Sequence, residues 1–109
     1  MKTSEILAKA ADLIEQRGWS QGWYCDDAGS LCATGAILAA AGIEPEARES
    51  ANLWATFDDA KWADADRAWR VVDDVVNAHT PAWNDARGRT AAEVVAALRG
   101  AAEAARAET

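Results

Sequence analysis

The chain has 109 residues, half of them hydrophobic, and a formal net charge of −7. This length predicts a single domain spanning residues 1–109, and the acidic charge disfavours direct binding of nucleic acid, because a polyanion would be repelled. No signal-peptide pattern, lipidation motif or membrane-spanning apolar run occurs in the sequence, so we expect a cytoplasmic protein without membrane contact and with reduced cysteines.

The first predicted helix begins at a capping Thr3 or Ser4 and ends at Gly18. Its apolar residues recur with a helical period, and glycine commonly follows the last turn of a helix. The following segment, from Trp19 to Ser30, combines extended-favouring residues with the turn sequence Asp-Asp-Ala-Gly. It predicts a short β-hairpin or an ordered loop.

Residues 31–43 contain no charged side chain, although the rest of the chain is highly charged. Alanine favours helix, and Gly42 lies at the end of the segment, where a glycine in the left-handed conformation commonly terminates a helix. A helix that is apolar on every side is enclosed by others. We therefore predict that this segment is the central apolar helix of the domain.

Three further helices are predicted, over residues 46–57, over residues 62–79 and from the capping-box pattern Thr90 to Glu93 onwards. Residues 80–89, which contain proline and glycine, are predicted to form a loop. The fold class is therefore all-α, a compact bundle of about five helices. The six tryptophans are expected to fill core spaces or to form the walls of clefts.

Four short motifs follow one another along the chain: Arg17-Gly-Trp19 with Gly22, Cys32-Ala-Thr-Gly-Ala36, Trp83-Asn-Asp85, and Gly88-Arg-Thr90 leading into Glu93-Val94. In this order they resemble a family of small uncharacterised domains encoded by actinobacterial and bacteriophage genomes. The resemblance covers Ala10 to about Ala105. The family often carries proline where this chain has Ala86. The resemblance implies a phage or mobile-element accessory protein and supplies no reaction.

Cys32 is the residue with the clearest potential for catalysis. A thiol at a helix N-terminus is a candidate nucleophile, with His79 as its base and Asn84 or Asp85 orienting the imidazole. This arrangement would make the protein a cysteine-dependent hydrolase or transferase. The alternative, which we favour, is a buried inert thiol and a histidine that ends a helix. The cysteine and histidine spacing matches no zinc motif, so no metal site is predicted.

The predicted loop over residues 80–89 combines aromatic, amide, acidic and basic residues. We favour a structural clamp, in which the loop is anchored to the core and folded by local hydrogen bonds. The alternative is a site for a small anionic ligand, with arginines beside a helix N-terminus and aromatic rings that stack on the ligand. The candidate ligand-binding residues are Trp19, Trp23, Tyr24, Trp83, Asn84, Asp85, Arg87, Arg89 and Thr90.

The densest acidic region contains Asp58, Asp59, Asp64, Asp66, Asp73 and Asp74. Such charge usually belongs to a solvated helix face, which is the interpretation we favour. An acidic nucleic-acid mimic that occupies a basic channel of a host enzyme is the alternative.

Taken together, the sequence predicts a non-enzymatic accessory protein without a cofactor. It would bind a host protein or a small anionic, nucleotide-like ligand, with a role in countering host defence. An exposed tryptophan could also build a homo-oligomer.

Overall fold

The computed structural model describes residues 1–46 and 58–107. Within these ranges the chain forms five helices and no β-sheet, so the all-α prediction is confirmed. The helices are α1 (Thr3–Arg17), α2 (Ala33–Ala40), α3 (Asp59–Val76), α4 (Thr80–Asn84) and α5 (Ala91–Ala107). In the described part of the chain no helix is long and apolar enough to cross a membrane.

Helix α1 packs mainly on α5 and α2. It ends where predicted, at Gly18, which has a φ of 97° and donates its N–H to Ile14 O. The end of α1 lies beside the start of α5, because Ile14 and Gly18 line the same groove as Ala91 and Val95. Both helices contribute aliphatic side chains to the core.

Helix α2 is shorter than the predicted helix over residues 31–43. The backbone of Leu31 pairs with Trp19 and with Cys25, so the helix begins only after Cys32. At the other end Gly42 is left-handed, with a φ of 93°, as the sequence indicated. Seven of the eight residues of α2 are buried, and the helix packs against α1, α3 and α4.

The segment between α1 and α2 is held by backbone pairings and contains no regular strand within the described residues. Leu31 N donates to Gly18 O over 3.0 Å, and Ser20 N donates to Leu31 O over 3.1 Å. Asp26 closes the turn, because its Oδ1 accepts from the N–H groups of Ala28 and Ser30. These contacts hold the segment against the start of α2.

Helix α3 begins three residues earlier than predicted because Asp58 caps it. Its carboxylate accepts from the N–H groups of Ala60 and Lys61. The helix also ends earlier, at Val76, where Asn77 takes a left-handed conformation with a φ of 54°. The predicted helix over residues 46–57 lies outside the described residues, except for Glu46.

The predicted loop over residues 80–89 is wrong in its first half, which forms α4. Pro81 occupies the first turn of α4, where its missing N–H costs nothing. The Asp73 carboxylate accepts from Thr80 N over 2.8 Å and stabilises the start of this helix. The capping box between Thr90 and Glu93 opens α5 as predicted.

The tryptophans occupy the margin of the core. None of the five described tryptophans is fully buried: Trp19, Trp62, Trp69 and Trp83 are half-buried, and Trp23 is 45% exposed. Leucine, isoleucine, valine and alanine side chains fill the centre instead. The expected placement in core spaces or cleft walls describes four of these five: Trp19, Trp62 and Trp83 pack against the core, and Trp19 and Trp69 line clefts.

Candidate functional site

Asn84 joins three parts of the chain through its side chain, which is completely buried. Its Oδ1 accepts from Trp19 Nε1 over 2.8 Å and from Ala33 N over 3.0 Å. Its Nδ2 donates to Ser20 O over 3.1 Å and to Asp85 Oδ1 over 3.0 Å. All four hydrogen-bonding positions of the amide are thus occupied, and the side chain contributes to the structure.

Asp85 and Gln21 extend this connection at the surface. Asp85 Oδ1 accepts from Gly22 N over 3.0 Å. Gln21 Nε2 donates to the carbonyl oxygens of Asn84 and Ala86, over 3.1 and 3.2 Å. Of the residues predicted from sequence, Trp19, Asn84 and Asp85 therefore lie in one hydrogen-bonded network.

Gly35 allows the loop before α2 to lie directly on this helix. A Cβ atom at this position would be 1.9 Å from Tyr24 O, which excludes any other residue without movement of the backbone. The same carbonyl accepts from Cys32 N over 3.3 Å. The tyrosine is half-buried, and burial raises the pKa of its hydroxyl.

Cys32 caps α2, and its Sγ accepts from Gly35 N over 3.3 Å. Burial raises the pKa of this thiol to about 11, and the negative charge of Asp85 acts in the same direction. The backbone N–H groups of Gly35 and Thr34 lower the pKa, but by less than burial raises it. The thiol is therefore protonated at neutral pH, whereas a nucleophilic cysteine needs the thiolate.

His79 lies in a different environment from Cys32. It is exposed, it precedes α4, and its ring stacks on Trp69 with the ring centroids 6.1 Å apart. Cys32 forms hydrogen bonds with Tyr24, Gly35 and Ala36, whereas the His79 ring stacks on Trp69 of α3. Among the described residues, no chain of hydrogen bonds is seen that connects Cys32, the predicted nucleophile, with His79 as base and Asn84 or Asp85 as orienting group.

Trp83, Arg89 and Thr90 form a second connected group. The Arg89 guanidinium lies 4.2 Å from the centre of the Trp83 ring, and its Nε donates to Trp83 O over 3.0 Å. Its Nη1 donates to Glu93 Oε2 over 3.0 Å. Hydrogen bonds from Thr90 and Arg89 lower the pKa of Glu93. Arg89 is thus engaged in holding the loop to α5, and Arg87 is exposed.

An open apolar groove lies between the end of α1 and the first half of α5, and we call it the α1–α5 groove. Its volume is about 550 Å³, within the rough range of 300–1,000 Å³ typical of small-molecule sites. It is lined by Ile14, Glu15, Gly18, Trp19, Ala91, Ala92, Val95, Ala96 and Arg99.

One end of the α1–α5 groove is charged. Arg99 donates to Asp12 over 3.0 Å and also pairs with Glu15, and both carboxylates raise its pKa. At the other end lie Ala91 and Ala92, in the first turn of α5. The first N–H groups of a helix have no partner within it and carry partial positive charge.

A second cleft, of about 410 Å³, lies against the last turns of α3, and we call it the α3 cleft. Its lining residues are Asp66, Trp69, Arg70, Asp73 and His79. The Trp69 Nε1 atom is buried and has no hydrogen-bond partner among the residues that the structure describes.

Several carboxylates of the acidic region are already engaged. Asp64 pairs with Arg67 and with the N-terminal amine, and Asp66 pairs with Arg70 over 2.9 Å. Asp58 and Asp73 accept from backbone N–H groups at the starts of α3 and α4. These pairings favour a solvated helix face whose carboxylates are paired within the protein over a continuous surface of unpaired carboxylates.

In the described ranges no three His, Cys, Asp or Glu side chains are grouped to hold a metal ion.

Sequence reasoning found Trp19 but missed the α1–α5 groove that it lines. Arg99, which also lines this groove, was not among the candidate site residues. Ala92 and Ala96 are exposed and lie four residues apart on α5, so they share one face of the helix. This spacing of small residues is the one sequence signal that could have indicated a shallow surface there.

The model of a family of unknown function, DUF6197, matches residues 1–104, so the chain belongs to this family. No curated protein and no solved structure matches the chain. Family membership therefore assigns no reaction to this chain.

Proposed function

We propose that this member of the DUF6197 family is a non-enzymatic binding protein, an accessory factor of a phage or mobile element, that binds a small anionic ligand with a flat ring. The α1–α5 groove is the binding site in this proposal. One observation carries it: an apolar groove of about 550 Å³ has an indole wall at Trp19 and opens onto the first turn of a 17-residue helix.

The indole supports binding of a ring because aromatic surfaces stack favourably and bury a large area. Trp19 is held in place by its hydrogen bond to the buried Asn84, so little ordering is needed when a ligand arrives. The α5 side of the groove includes Ala92 and Ala96, whose small side chains leave room for a flat group.

The charge distribution supports an anionic group at the Ala91 end. The N–H groups of Ala91 and Ala92 are in the first turn of α5 and lack intrahelical partners, and the helix dipole adds to their attraction for an anion. At the far end, the two carboxylates Asp12 and Glu15 outnumber Arg99, which disfavours an anion there. The ligand would therefore bind in one orientation.

The burial of Cys32 supports a non-enzymatic function. A pKa of about 11 leaves almost none of this thiol ionised at neutral pH, and nucleophilic attack by cysteine proceeds through the thiolate. A host protein that inserts a side chain into the same groove is the alternative ligand, and the experiment below tests the small-ligand proposal.

The test uses the full chain and a panel of nucleoside monophosphates and cyclic dinucleotides in thermal-shift and NMR measurements. We expect at least one probe to raise the melting temperature and to shift the indole N–H resonance of Trp19. A ligand at a hundred times its Kd stabilises by about 2.7 kcal/mol.

Two matched variants locate the site. Ala96→Leu fills the α1–α5 groove at an exposed position of α5, whereas Ala104→Leu makes the same change at an exposed position outside it. We expect Ala96→Leu to abolish the shift and Ala104→Leu to leave it unchanged. If no probe binds, or if Ala96→Leu binds as well as the unchanged chain, the small-ligand proposal is wrong.

A further inference from the structure

We infer that the α3 cleft binds the cationic side chain of an arginine or lysine presented by a partner protein. This site is separate from the α1–α5 groove, and its argument does not depend on the ligand proposed there. The cleft has a volume of about 410 Å³ and contains both aromatic rings and carboxylates, the two kinds of group that attract an organic cation.

The aromatic part of the α3 cleft is the stacked pair of Trp69 and His79. Their ring centroids are 6.1 Å apart and the ring planes differ by 26°, so the two rings stack with nearly parallel faces, and both residues line the cleft. Planar guanidinium groups stack on such surfaces, and tryptophan is the strongest cation–π partner among the aromatic side chains.

The electrostatic part is the pair of carboxylates Asp66 and Asp73. They are seven residues apart on α3, which places them two turns apart on one side of the helix. Asp73 Oδ1 is occupied by Thr80, while Oδ2 has no hydrogen bond among the described residues. With Arg70 included, the lining carries a formal charge of −2 + 1 = −1 when His79 is neutral.

Arg70 acts as an intramolecular competitor for an incoming cation. Its Nε donates to Asp66 Oδ2 over 2.9 Å, but its side chain is 76% exposed. An exposed ion pair of this kind contributes little stability, so the incoming cation can displace it at small cost. The arrangement therefore predicts that removing Arg70 improves binding, an outcome that a purely structural role for the cleft does not predict.

Two longer-range effects favour a cation over an anion at this position. The α3 cleft lies against the last turns of an 18-residue helix, where the helix dipole is negative. The net charge of −7 also steers basic partners towards the protein, with an effect that salt weakens. A basic segment of a protein fits both conditions.

The test titrates the full chain with the blocked peptide acetyl-Ala-Ala-Arg-Ala-Ala-amide at low salt and follows the Trp69 and His79 ring resonances by NMR. The same peptide with citrulline in place of arginine is the neutral control. We expect the arginine peptide to shift both rings and the citrulline peptide to bind at least fivefold more weakly, a rough figure from loss of a single charge contact. Equal binding of the two peptides would overturn the inference.

Three variants at exposed or half-buried positions of α3 test the geometry. Arg70→Gln is expected to tighten binding of the arginine peptide roughly threefold or more, and Asp66→Asn to weaken it by a similar factor. Asp74→Asn, which changes the net charge as Asp66→Asn does but lies outside the cleft lining, should leave binding unchanged. Weaker or unchanged binding by Arg70→Gln, or an equal effect of the two Asp variants, would contradict the site.

Free arginine provides the last comparison, because it shares the guanidinium but has a charged backbone. If the cleft recognises a side chain on a partner protein, the blocked peptide binds at least as tightly as free arginine. Tighter binding of free arginine would assign the cleft to a small metabolite and overturn the partner assignment.

Discussion

The amide oxygen of Asn84 lies 2.8 Å from the indole nitrogen of Trp19, a residue 65 positions earlier in the chain. The same oxygen accepts from Ala33 N in the first turn of α2. One buried side chain thus connects α4, α2 and the loop after α1, and the Trp19 ring that it positions is a wall of the α1–α5 groove.

Asn84→Ala should therefore destabilise the protein strongly. It removes four hydrogen bonds and leaves the Ala33 N–H and the Ser20 carbonyl without their side-chain partner. We expect a loss of roughly 3 kcal/mol or more in the free energy of unfolding, measured by urea denaturation. Gln21→Ala, which removes two hydrogen bonds at an exposed position, is the control and should cost about 1 kcal/mol or less.

Should Asn84→Ala fail to fold, Trp19→Phe tests the same contact. It keeps a six-membered ring and removes the indole N–H together with the rest of the five-membered ring, for an expected loss of about 1 kcal/mol or more. Unchanged stability in Trp19→Phe would show that the Trp19–Asn84 contact contributes nothing.

Gly35→Ala should be among the most damaging single-methyl additions in this domain. The new Cβ would meet Tyr24 O at 1.9 Å, and backbone atoms cannot yield as a flexible side chain can. We expect a loss of about 3 kcal/mol or more, or an insoluble protein. Gly100→Ala is the matched control in α5, where nothing lies within 4 Å of the new methyl group; it should stabilise by about 0.5–1 kcal/mol. Equal effects of the two changes on thermal unfolding would contradict this account.

Two buried threonines should respond in opposite directions to replacement by valine. Thr34 Oγ1 is buried and has no partner among the described residues, whereas Thr80 Oγ1 donates to the Asp73 carboxylate. Thr34→Val removes an unpaired hydroxyl and should be neutral or stabilise by about 1 kcal/mol. Thr80→Val should destabilise by about 1–3 kcal/mol. Calorimetric melting of both variants tests the ordering, and a more stable Thr80→Val would disprove it.

The raised pKa of Cys32 predicts a loss of stability at alkaline pH. The unfolded thiol ionises near its usual pKa of 9, whereas the folded thiol ionises only near 11. Between these values the unfolded chain binds fewer protons, so the free energy of unfolding falls as pH rises, by up to about 1.4 kcal/mol per pH unit from this group. Cys32→Ala should flatten this part of the urea-denaturation profile, and an equally steep profile in the variant would assign the slope to other groups.

Thiol labelling gives an independent check at neutral pH. Cys25 and Cys32 are both buried and unpaired with each other, and burial raises the pKa of both thiols. We expect slow reaction with iodoacetamide in the native protein and rapid reaction of both cysteines in urea. Rapid labelling of native Cys32 would support the hydrolase or transferase hypothesis instead.

Structural features that depend only on residues close together in the sequence could be predicted from it. The end of α1 at Gly18, the left-handed Gly42 and the capping box of Thr90 and Glu93 all follow from local backbone chemistry. Helix α4 could not be found in this way, because five residues are too few to show a helical period and its first N–H depends on Asp73, on another helix.

The residues of the candidate site could likewise be predicted only in part from the sequence. Asn84 and Arg89 were identified as important residues, but the sequence left open whether they bind a ligand or hold the loop. In the structure the Asn84 side chain forms hydrogen bonds within the protein. The Arg89 guanidinium lies over the Trp83 ring and forms an ion pair with Glu93. For Cys32, the expected effect of the helix N-terminus on the pKa is present but is exceeded by burial.

The sequence by itself determined the helical class, the end of α1, the start of α5 and the residue types available for binding, because periodicity and capping act over a few residues. Only the tertiary structure decided which polar groups are already occupied, and where the two clefts open. Those properties depend on contacts between segments such as α1 and α5, whose close approach no local pattern encodes.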